Sequence, residues 1–225
     1  MPGGTVTGGY VRAEDLPKVV AVFPLDGALL LPRGGLPLNI FEPRYLNMID
    51  DAMAGDRVIG MVQTRRGGDA ARPRLAPVGC AGRITSYAET PDGRYVVTLT
   101  GICRFLLGEE LPGRTPYRQV AADFAAFEED LRPPADETAF SRPRLLRALK
   151  AYLDSRSLEV NWNTAEAAPA EALINSLAMA LPFDPVEKQA LLEADSLIER
   201  ESALVALLEI DAAAYDDDDN DKPMQ

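Results

Sequence analysis

Short apolar runs separated by prolines and glycines predict β-strands in the first half of the chain. "KVVAVFPL" (18–25) is a β-branched apolar run closed by a proline, and "RVIGMVQT" (57–64) is a second run of this kind. Between them, "ALLLPRGGLPL" (28–38) has prolines and glycines typical of a loop, with a short apolar strand on each side. "RRGGDAARPR" (65–74) is expected to be a polar, mobile loop, and "PYRQVAADFAAFEED" (116–130) a last strand that merges into a linker. This half is therefore expected to be rich in β-structure.

One helix is predicted inside this β-rich half. Pro43 suits the first helical position, where its missing N–H costs nothing. Leu46, Ile49 and Met53 follow at helical spacing, and Gly55 suits the position just past the helix end. The segment therefore changes from a strand pattern to a helix pattern at Pro43.

The turn "PDGR" (91–94) marks the clearest hairpin in the sequence. Asp92-Gly93 suits a two-residue type I′ turn, in which both central residues need positive φ. With that turn, Cys80 and Cys103 lie on one face of the two strands as diagonal neighbours. They are either a redox pair or two buried small hydrophobic residues in a reducing compartment, and the pattern favours the second.

Beyond the linker the apolar residues recur with a period near 3.6, which predicts helices. Asp184 and Glu187 have the spacing of a capping box around Pro185, and Pro169 either kinks the second helix or marks its true start. The predicted helices cover residues 140–157, 164–181, 184–195 and 196–214.

These patterns predict an α+β protein with a β-rich domain followed by an all-α helical bundle. The aspartates that follow the last helix oppose its macrodipole, so they are expected not to extend it. The expected organisation is a flexible leader (1–17), the β-rich domain (18–127), a linker (128–136), the helical bundle (137–215) and a disordered acidic tail (216–225).

Composition excludes several classes of function. The formal net charge of −12 opposes attraction to phosphate backbones and disfavours a nucleic-acid partner. Histidine is absent, which removes the usual zinc sites and the Ser-His and Cys-His forms of catalysis. No transmembrane stretch, secretory signal or GxxxxGK[ST] phosphate loop is visible, so a cytoplasmic protein is expected, without membrane association, cofactor, metal or catalytic residues.

Several long motifs resemble those of a known family. They are "FPLDGALLLPRGGLPLNIFEPRYLNMIDDAM", "GCAGRI", "DGRYVVTLTGICRF" and, in the helical half, "LINSLAMALPFDPVEKQALLEA". Together they run from about Val22 to Glu209, and they resemble the N-terminal substrate-binding domain of Lon proteases. The chain resembles a stand-alone member of that family.

The resemblance implies a PUA-like pseudo-barrel carrying one helix, followed by a helical bundle. Full Lon proteins continue into an ATPase module and a protease domain with a serine-lysine dyad, and this chain ends before either. The resemblance therefore implies a non-catalytic module that recognises unfolded or misfolded proteins or peptides, or an adaptor for a protease or chaperone. An RNA-binding PUA-like protein and an oligomeric scaffold of unknown stoichiometry are the alternatives.

The block around "IFEPRY" is the candidate binding site, with two interpretations. In the structural one, Phe41 and Tyr45 anchor the helix to the sheet, and Glu42 and Arg44 form a partly buried pair. In the functional one, the same block lines a groove between sheet and helix where unfolded polypeptide binds. The candidate substrate-binding residues are Leu36, Leu38, Phe41, Glu42, Pro43, Arg44 and Tyr45.

Overall fold

The computed structural model describes residues 9–69, 72–133, 140–156, 158 and 160–220. Residues 1–8, 70–71, 134–139, 157, 159 and 221–225 lie outside the described residues, so each of the five predicted segments is described only in part.

Six strands and one α-helix form the first half, and helices fill the second, so the predicted α+β class is confirmed. The first half contains β1 (Val19–Pro24), β2 (Gly35–Ile40), α1 (Pro43–Ala54), β3 (Val58–Asp69), β4 (Arg72–Glu89), β5 (Tyr95–Glu110) and β6 (Arg118–Asp123). The second contains α2 (Arg142–Ser155), α3 (Trp162–Ala167), α4 (Ala170–Ala180), α5 (Pro185–Glu193) and α6 (Leu197–Asn220). Two 3₁₀ segments, Ala13–Asp15 and Ala125–Leu131, precede β1 and follow β6.

The six strands form one strongly curled sheet in the order β2-β5-β4-β3-β1-β6. Strand β6 pairs with β1 and, over a short stretch, also with the far end of β5, so the sheet bends back toward itself. Strands β1 and β3 are parallel, which requires a crossover connection, and that connection contains β2 and α1. Strand β2 pairs with β5 at the edge of the sheet, and α1 begins directly after it.

The β4–β5 hairpin differs from the sequence-based expectation by one residue of register. Its loop has three residues, because Thr90 N donates to Arg94 O at 2.8 Å, and Gly93 is the residue of that loop with positive φ (78°). The predicted type I′ turn is therefore wrong, since it needs two residues with positive φ. A type I turn followed by a left-handed glycine adds one residue and moves the register.

This register places the two cysteines on opposite faces of the sheet. Cys103 pairs with Ala81 rather than lying diagonal to Cys80 on one face, and adjacent residues of a strand point to opposite faces. Cys80 is buried in one hydrophobic cluster and Cys103 in the other, and both are free thiols. The expected shared face is therefore wrong, while the interpretation of both as buried small residues agrees with their burial.

Three segments expected to lack regular structure have it. The arms of β3 and β4 continue through most of 65–74, because the two strands remain paired out to Asp69 and Arg72. The linker residues 128–131 lie in a 3₁₀ segment in which Asp130 is buried. Helix α6 continues to Asn220, since each added residue of an established helix gains one hydrogen bond and needs no new nucleus.

Residues 9–17, expected to be part of a flexible leader, also contact the sheet. Leu16 is buried against the same cluster as Val20 and Phe105, and Tyr10 packs on its margin. Asp15 accepts hydrogen bonds from the backbone N–H groups of Val11 and Arg12, which closes a local turn.

Two hydrophobic clusters lie on the two faces of the curled sheet. The larger one joins residues of the sheet, such as Leu99, to residues of the helices, such as Leu145 and Leu208. Close backbone packing requires glycine at Gly101, because a Cβ there would lie 2.0 Å from the carbonyl oxygen of Leu31. The boundaries predicted between the two halves stay a prediction, since the larger cluster extends across them.

A buried arginine connects the two halves. Arg104 on β5 makes a bidentate pair with Asp130, with Nε–Oδ2 of 2.9 Å and Nη2–Oδ1 of 3.0 Å. Its Nη1 donates to the carbonyl oxygens of Leu192 and Ala194, at the end of α5. Both side chains of the ion pair are more than nine-tenths buried. The guanidinium therefore satisfies the last carbonyls of a helix and a buried carboxylate together.

Further polar side chains extend this connection, and we call the set the polar seam: Arg33, Arg104, Asp130, Glu171, Asn175, Lys188 and Arg200. Arg200 donates to Leu191 O at 2.9 Å and to Asn175 Oδ1 at 3.0 Å, and Asn175 Nδ2 donates to Pro32 O at 3.1 Å. Burial, with a smaller contribution from Arg104, lowers the pKa of Arg200 to about 10. Lys188 Nζ donates to Gly27 O at 2.7 Å, so the seam binds α4–α6 to the loop before β2.

Removal of the Arg104 guanidinium tests this connection. We expect Arg104→Met to lower the free energy of unfolding by about 3–5 kcal/mol, because it leaves the buried Asp130 carboxylate unpaired. Urea unfolding followed by circular dichroism and by the fluorescence of Trp162 measures this. The double variant with Asp130→Leu should recover part of the loss, and Arg94→Met in the exposed β4–β5 turn is the control. A loss in Arg104→Met no larger than that of the control would contradict the role of the ion pair.

Candidate functional site

The predicted site residues lie on the edge strand β2, on the start of α1 and on the two-residue connection between them. Strand β2 ends at Ile40 and α1 begins at Pro43. Leu38 and Tyr45 are buried, Leu36 and Glu42 are half-buried, and Phe41, Pro43 and Arg44 are exposed. The structure therefore brings the block together at one place but divides it between core and surface.

Strand alternation explains the division. Leu38 and Ile40 face the core, so Asn39 between them and Phe41 after them face outward. The side chain of Phe41 is 63% exposed, so the interpretation in which it anchors the helix is wrong. Tyr45, one turn into α1, does anchor it, because its ring packs on Phe23 with a centroid distance of 4.2 Å.

Glu42 and Arg44 are paired as expected but lie at the surface. Arg44 Nη2 is 2.8 Å from Glu42 Oε2, and the two side chains are 47% and 43% exposed. The Arg44 guanidinium also lies over the Tyr45 ring, 4.5 Å from its centroid. An exposed pair of this kind contributes about 1 kcal/mol or less, so Arg44 is available to exchange its partner.

A cavity of about 160 Å³ opens beside the start of α1, and we call it the joint cavity. Six elements or loops supply its walls, which brings together residues spread over 95 positions of sequence. The residues that define it are Pro24, Arg44, Tyr45, Pro116, Tyr117 and Arg118. Only Arg44 and Tyr45 were identified from the sequence, because the others come from strands and loops whose convergence depends on the curl of the sheet.

Hydrogen bonds fix the walls of the joint cavity. Tyr117 Oη donates to Asp51 Oδ2 at 2.6 Å, which ties the loop before β6 to α1. Burial, together with this hydrogen bond, raises the pKa of Tyr117 to about 12, so its hydroxyl remains a donor. Tyr45 and Tyr117 are both more than nine-tenths buried. The cavity is therefore preformed.

Arg118 forms the far wall of the joint cavity. Its Nε and Nη2 donate to the two carboxylate oxygens of Glu110 at 2.9 and 2.8 Å, and its Nη1 donates to Pro73 O at 2.7 Å. Arg72 also donates to Glu110, at 2.6 Å. The hydrogen bond from Arg118 is the main reason that the pKa of Glu110 lies below its ordinary value; burial opposes it, and the hydrogen bond from Arg72 adds to the lowering.

A second cavity, of about 270 Å³, lies between the start of β2 and α4. The Arg33–Glu171 ion pair forms part of its wall, and Arg33 adopts a positive φ of 65° there. Asn175 lines it as well. Because these side chains are bonded within the polar seam, this cavity is part of the connection between the two halves.

The described residues offer binding surfaces more readily than reactive groups. Burial raises the pKa of the Cys80 and Cys103 thiols, which disfavours the nucleophilic thiolate. Burial lowers the pKa of Lys188, but its Nζ is bonded to the carbonyl oxygens of Gly27 and Met179. Within the described part of the chain, no three cysteine or carboxylate side chains gather to hold a metal ion. No helix in that part has the length and apolarity needed to cross a membrane.

Comparison with known proteins places the chain in a family. Residues 19–209 match the model of the ATP-dependent protease La (LON) substrate-binding domain, which is most of the chain. The chain belongs to the Lon substrate-binding domain family. The resemblance inferred from the IFEPRY block and the helical motifs is thereby confirmed.

Curated relatives are much longer than this Lon substrate-binding domain protein. Lon protease 2 of Myxococcus xanthus is 30% identical over 125 residues, which cover 55% of this chain and 15% of the relative. Lon protease of Flavobacterium johnsoniae is 25% identical over 191 residues, which cover 83% of this chain and 23% of the relative. The chain therefore spans less than a quarter of these relatives' length.

Solved structures show the same fold. The Lon N-terminal domain protein from Xanthomonas campestris superposes with a TM-score of 0.60 at 21% identity, covering 84% of this chain and 97% of that one. The N-terminal domain of the Mycobacterium avium complex Lon protease gives a TM-score of 0.58 at 19% identity, covering 85% and 98%. At such identities the likeness shows the fold alone. The joint cavity is a feature of this chain.

The Glu110–Arg118 pair predicts how the stability of this Lon domain protein depends on pH. Because the folded-state pKa of Glu110 is lowered, its contribution is complete above the unfolded value near 4.5 and is lost as pH falls through the folded value. We expect Glu110→Gln to lower the free energy of unfolding by about 1 kcal/mol at neutral pH. The difference from the wild type should vanish in strong acid. Urea unfolding as a function of pH measures it.

The neighbouring Glu109 supplies the control for this measurement. It is exposed and has no ion-pair partner within the described residues, so Glu109→Gln should change stability little at any pH. A Glu110→Gln effect that stayed constant down to strong acid would show that the carboxylate charge is not what stabilises the fold there.

Proposed function

We propose that this chain is a non-catalytic recognition module that binds exposed apolar segments of unfolded or misfolded proteins. Membership of a family described as a substrate-binding domain supports this. The observation that carries the proposal is the β2–α1 connection, where the exposed Phe41 lies three residues before Arg44, a residue that lines the joint cavity. The proposed docking surface consists of Phe41, Pro43, Arg44 and the joint cavity.

The physical basis is apolar contact at a rigid site. Phe41 keeps more than half of its surface in water, so covering it removes apolar area at no cost in lost packing. The walls of the joint cavity are fixed by the Tyr117–Asp51 and Arg118–Glu110 hydrogen bonds, which lowers the ordering that a ligand would have to induce. Such a surface suits short apolar side chains of many sequences rather than one defined ligand. Leu36 and Leu38, on the strand that leads into this surface, belong to the larger hydrophobic cluster.

The cellular setting follows from the same features. Because the curated relatives are whole Lon proteases, association with a protease or a chaperone as an adaptor is part of the proposal. Two free and buried cysteines suit a reducing compartment, which supports a cytoplasmic location. The absence of a low-pKa nucleophile among the described residues supports a module that binds without catalysing a reaction.

Substitution of Phe41 tests the docking surface. We expect Phe41→Ser to weaken binding of a permanently unfolded, reduced and alkylated protein about tenfold, because an exposed ring no longer supplies apolar area to the complex. Biolayer interferometry with the immobilised client measures the dissociation constant. Stability should change little, since the ring is already exposed.

A matched control is available on α5. Val186 is 81% exposed, and Val186→Ser removes a comparable exposed side chain from the helical half without touching the joint cavity. The proposal fails if the wild type does not bind the client, or if both variants weaken binding equally. Tighter binding of single-stranded RNA than of the client would favour the RNA-binding alternative, and concentration-dependent self-association without client binding would favour the scaffold.

A further inference from the structure

A third cavity, of about 350 Å³, lies next to the joint cavity and shares Arg118 with it. We call it the hairpin cavity, because the arms of the β3–β4 hairpin form much of it. The residues that matter here are Arg65, Arg74, Leu75, Leu107, Glu110 and Arg118. With the joint cavity it makes one surface, which we call the arginine groove.

The charge of the arginine groove is opposite to that of the whole chain. Its two cavities are lined by four arginines, at positions 44, 65, 74 and 118, and by one carboxylate, Glu110, while Glu42 and Asp51 bond to wall residues from outside the lining. The chain as a whole has 23 basic and 35 acidic residues, a net −12. A concentration of positive charge here is therefore not a consequence of composition.

Two of these arginines face each other without a carboxylate between them. Arg65 and Arg74 are directly opposite in the β3–β4 register, and both are exposed. Arg65 Nε donates to Leu75 O at 3.0 Å, and neither guanidinium has a carboxylate partner within the described residues. Like charges directly opposite across two strands repel each other, so an anion bound between them would relieve an unfavourable contact.

The rest of the hairpin cavity is apolar. Leu75 and Leu107 are half-buried in its walls, and Ala76 and Pro77 complete that side. A ligand that fills the groove therefore needs an apolar group next to negative charge. Since guanidinium groups pair with carboxylates in bidentate geometry, a polypeptide with acidic residues beside apolar ones has both features.

We propose that the arginine groove selects, among polypeptide clients, segments in which glutamate or aspartate flanks apolar side chains. This rests on the proposed function and adds a charge preference to it. The rings of Tyr45 and Tyr117 are buried, so they offer no face on which a nucleobase can stack. A short acidic segment remains within the reach of the local positive charge, which extends about 10 Å at ~0.1 M salt, whereas a long polyanion also meets the acidic remainder of the chain.

Two labelled peptides test the preference. Both contain the same leucine and phenylalanine cluster, flanked by glutamates in one peptide and by glutamines in the other. We expect the glutamate peptide to bind the full chain about fivefold more tightly at ~0.1 M salt, measured by fluorescence anisotropy. The preference should disappear at ~1 M salt, where charges are screened within about 3 Å.

Paired arginine variants locate the preference. Arg65→Gln with Arg74→Gln should abolish the preference, because binding of the glutamate peptide should fall to the level of the glutamine peptide once the two facing charges are removed. The control is Arg144→Gln with Arg147→Gln on α2, which removes the same charge from two other exposed arginines and should retain the preference.

The outcomes separate the two proposals. Equal binding of both peptides, or equal loss of preference in both variants, overturns the charge selectivity and leaves the recognition of apolar segments standing. Binding of neither peptide overturns both proposals. If single-stranded RNA displaces the glutamate peptide and binds more tightly than it, the groove is a nucleic-acid site and the peptide preference is wrong.

Discussion

The burial of Arg104 is the constraint on which the rest of the structure depends. A guanidinium removed from water is stable only when its donors are satisfied, and here Asp130 and the carbonyl oxygens of Leu192 and Ala194 satisfy them. Arg104 lies on β5, and its partners come from the segment after β6 and from the end of α5, so one side chain fixes the helices relative to the sheet. An apolar residue could fill the same volume but would tolerate several orientations.

The polar seam also fixes the position of the loop that leads to the candidate site. Asn175 and Lys188 hold the carbonyl groups of Pro32 and Gly27, at the two ends of the loop that leads into β2. Strand β2 then passes directly into α1, with Phe41 in the two-residue connection. The position of this exposed ring is therefore set by buried polar contacts in the helical half, although the helices contribute nothing to the walls of the joint cavity apart from α1.

Local rules predicted the elements whose signals are local. Pro43 begins α1, and Asp184 with Glu187 forms the expected capping box at α5, with Glu187 Oε2 accepting from Asp184 N at 2.8 Å. Pro169 precedes α4 and so marks a true helix start.

Local sequence rules failed where a single residue decides between two turn types. At the β4–β5 turn, one extra loop residue moved Cys103 to the other face of the sheet. Tyr117 and Arg118 could not be assigned to the site, because only the pairing of β6 brings them to α1.

Arginines surrounded by acidic surface give a physical means of discrimination that apolar contact alone does not provide. Covering Phe41 would favour any apolar segment, so a site built on it would also hold apolar segments of correctly assembled partners. Specificity is a difference between the affinities for two ligands. The net charge of −12 repels long polyanions and so lowers the affinity for them. Arg65 and Arg74, which have no carboxylate partner among the described residues, supply the attraction over a few ångströms. A client that combines apolar and acidic residues can cover Phe41 and also pair with the arginines. Nucleic acid can pair with the arginines only.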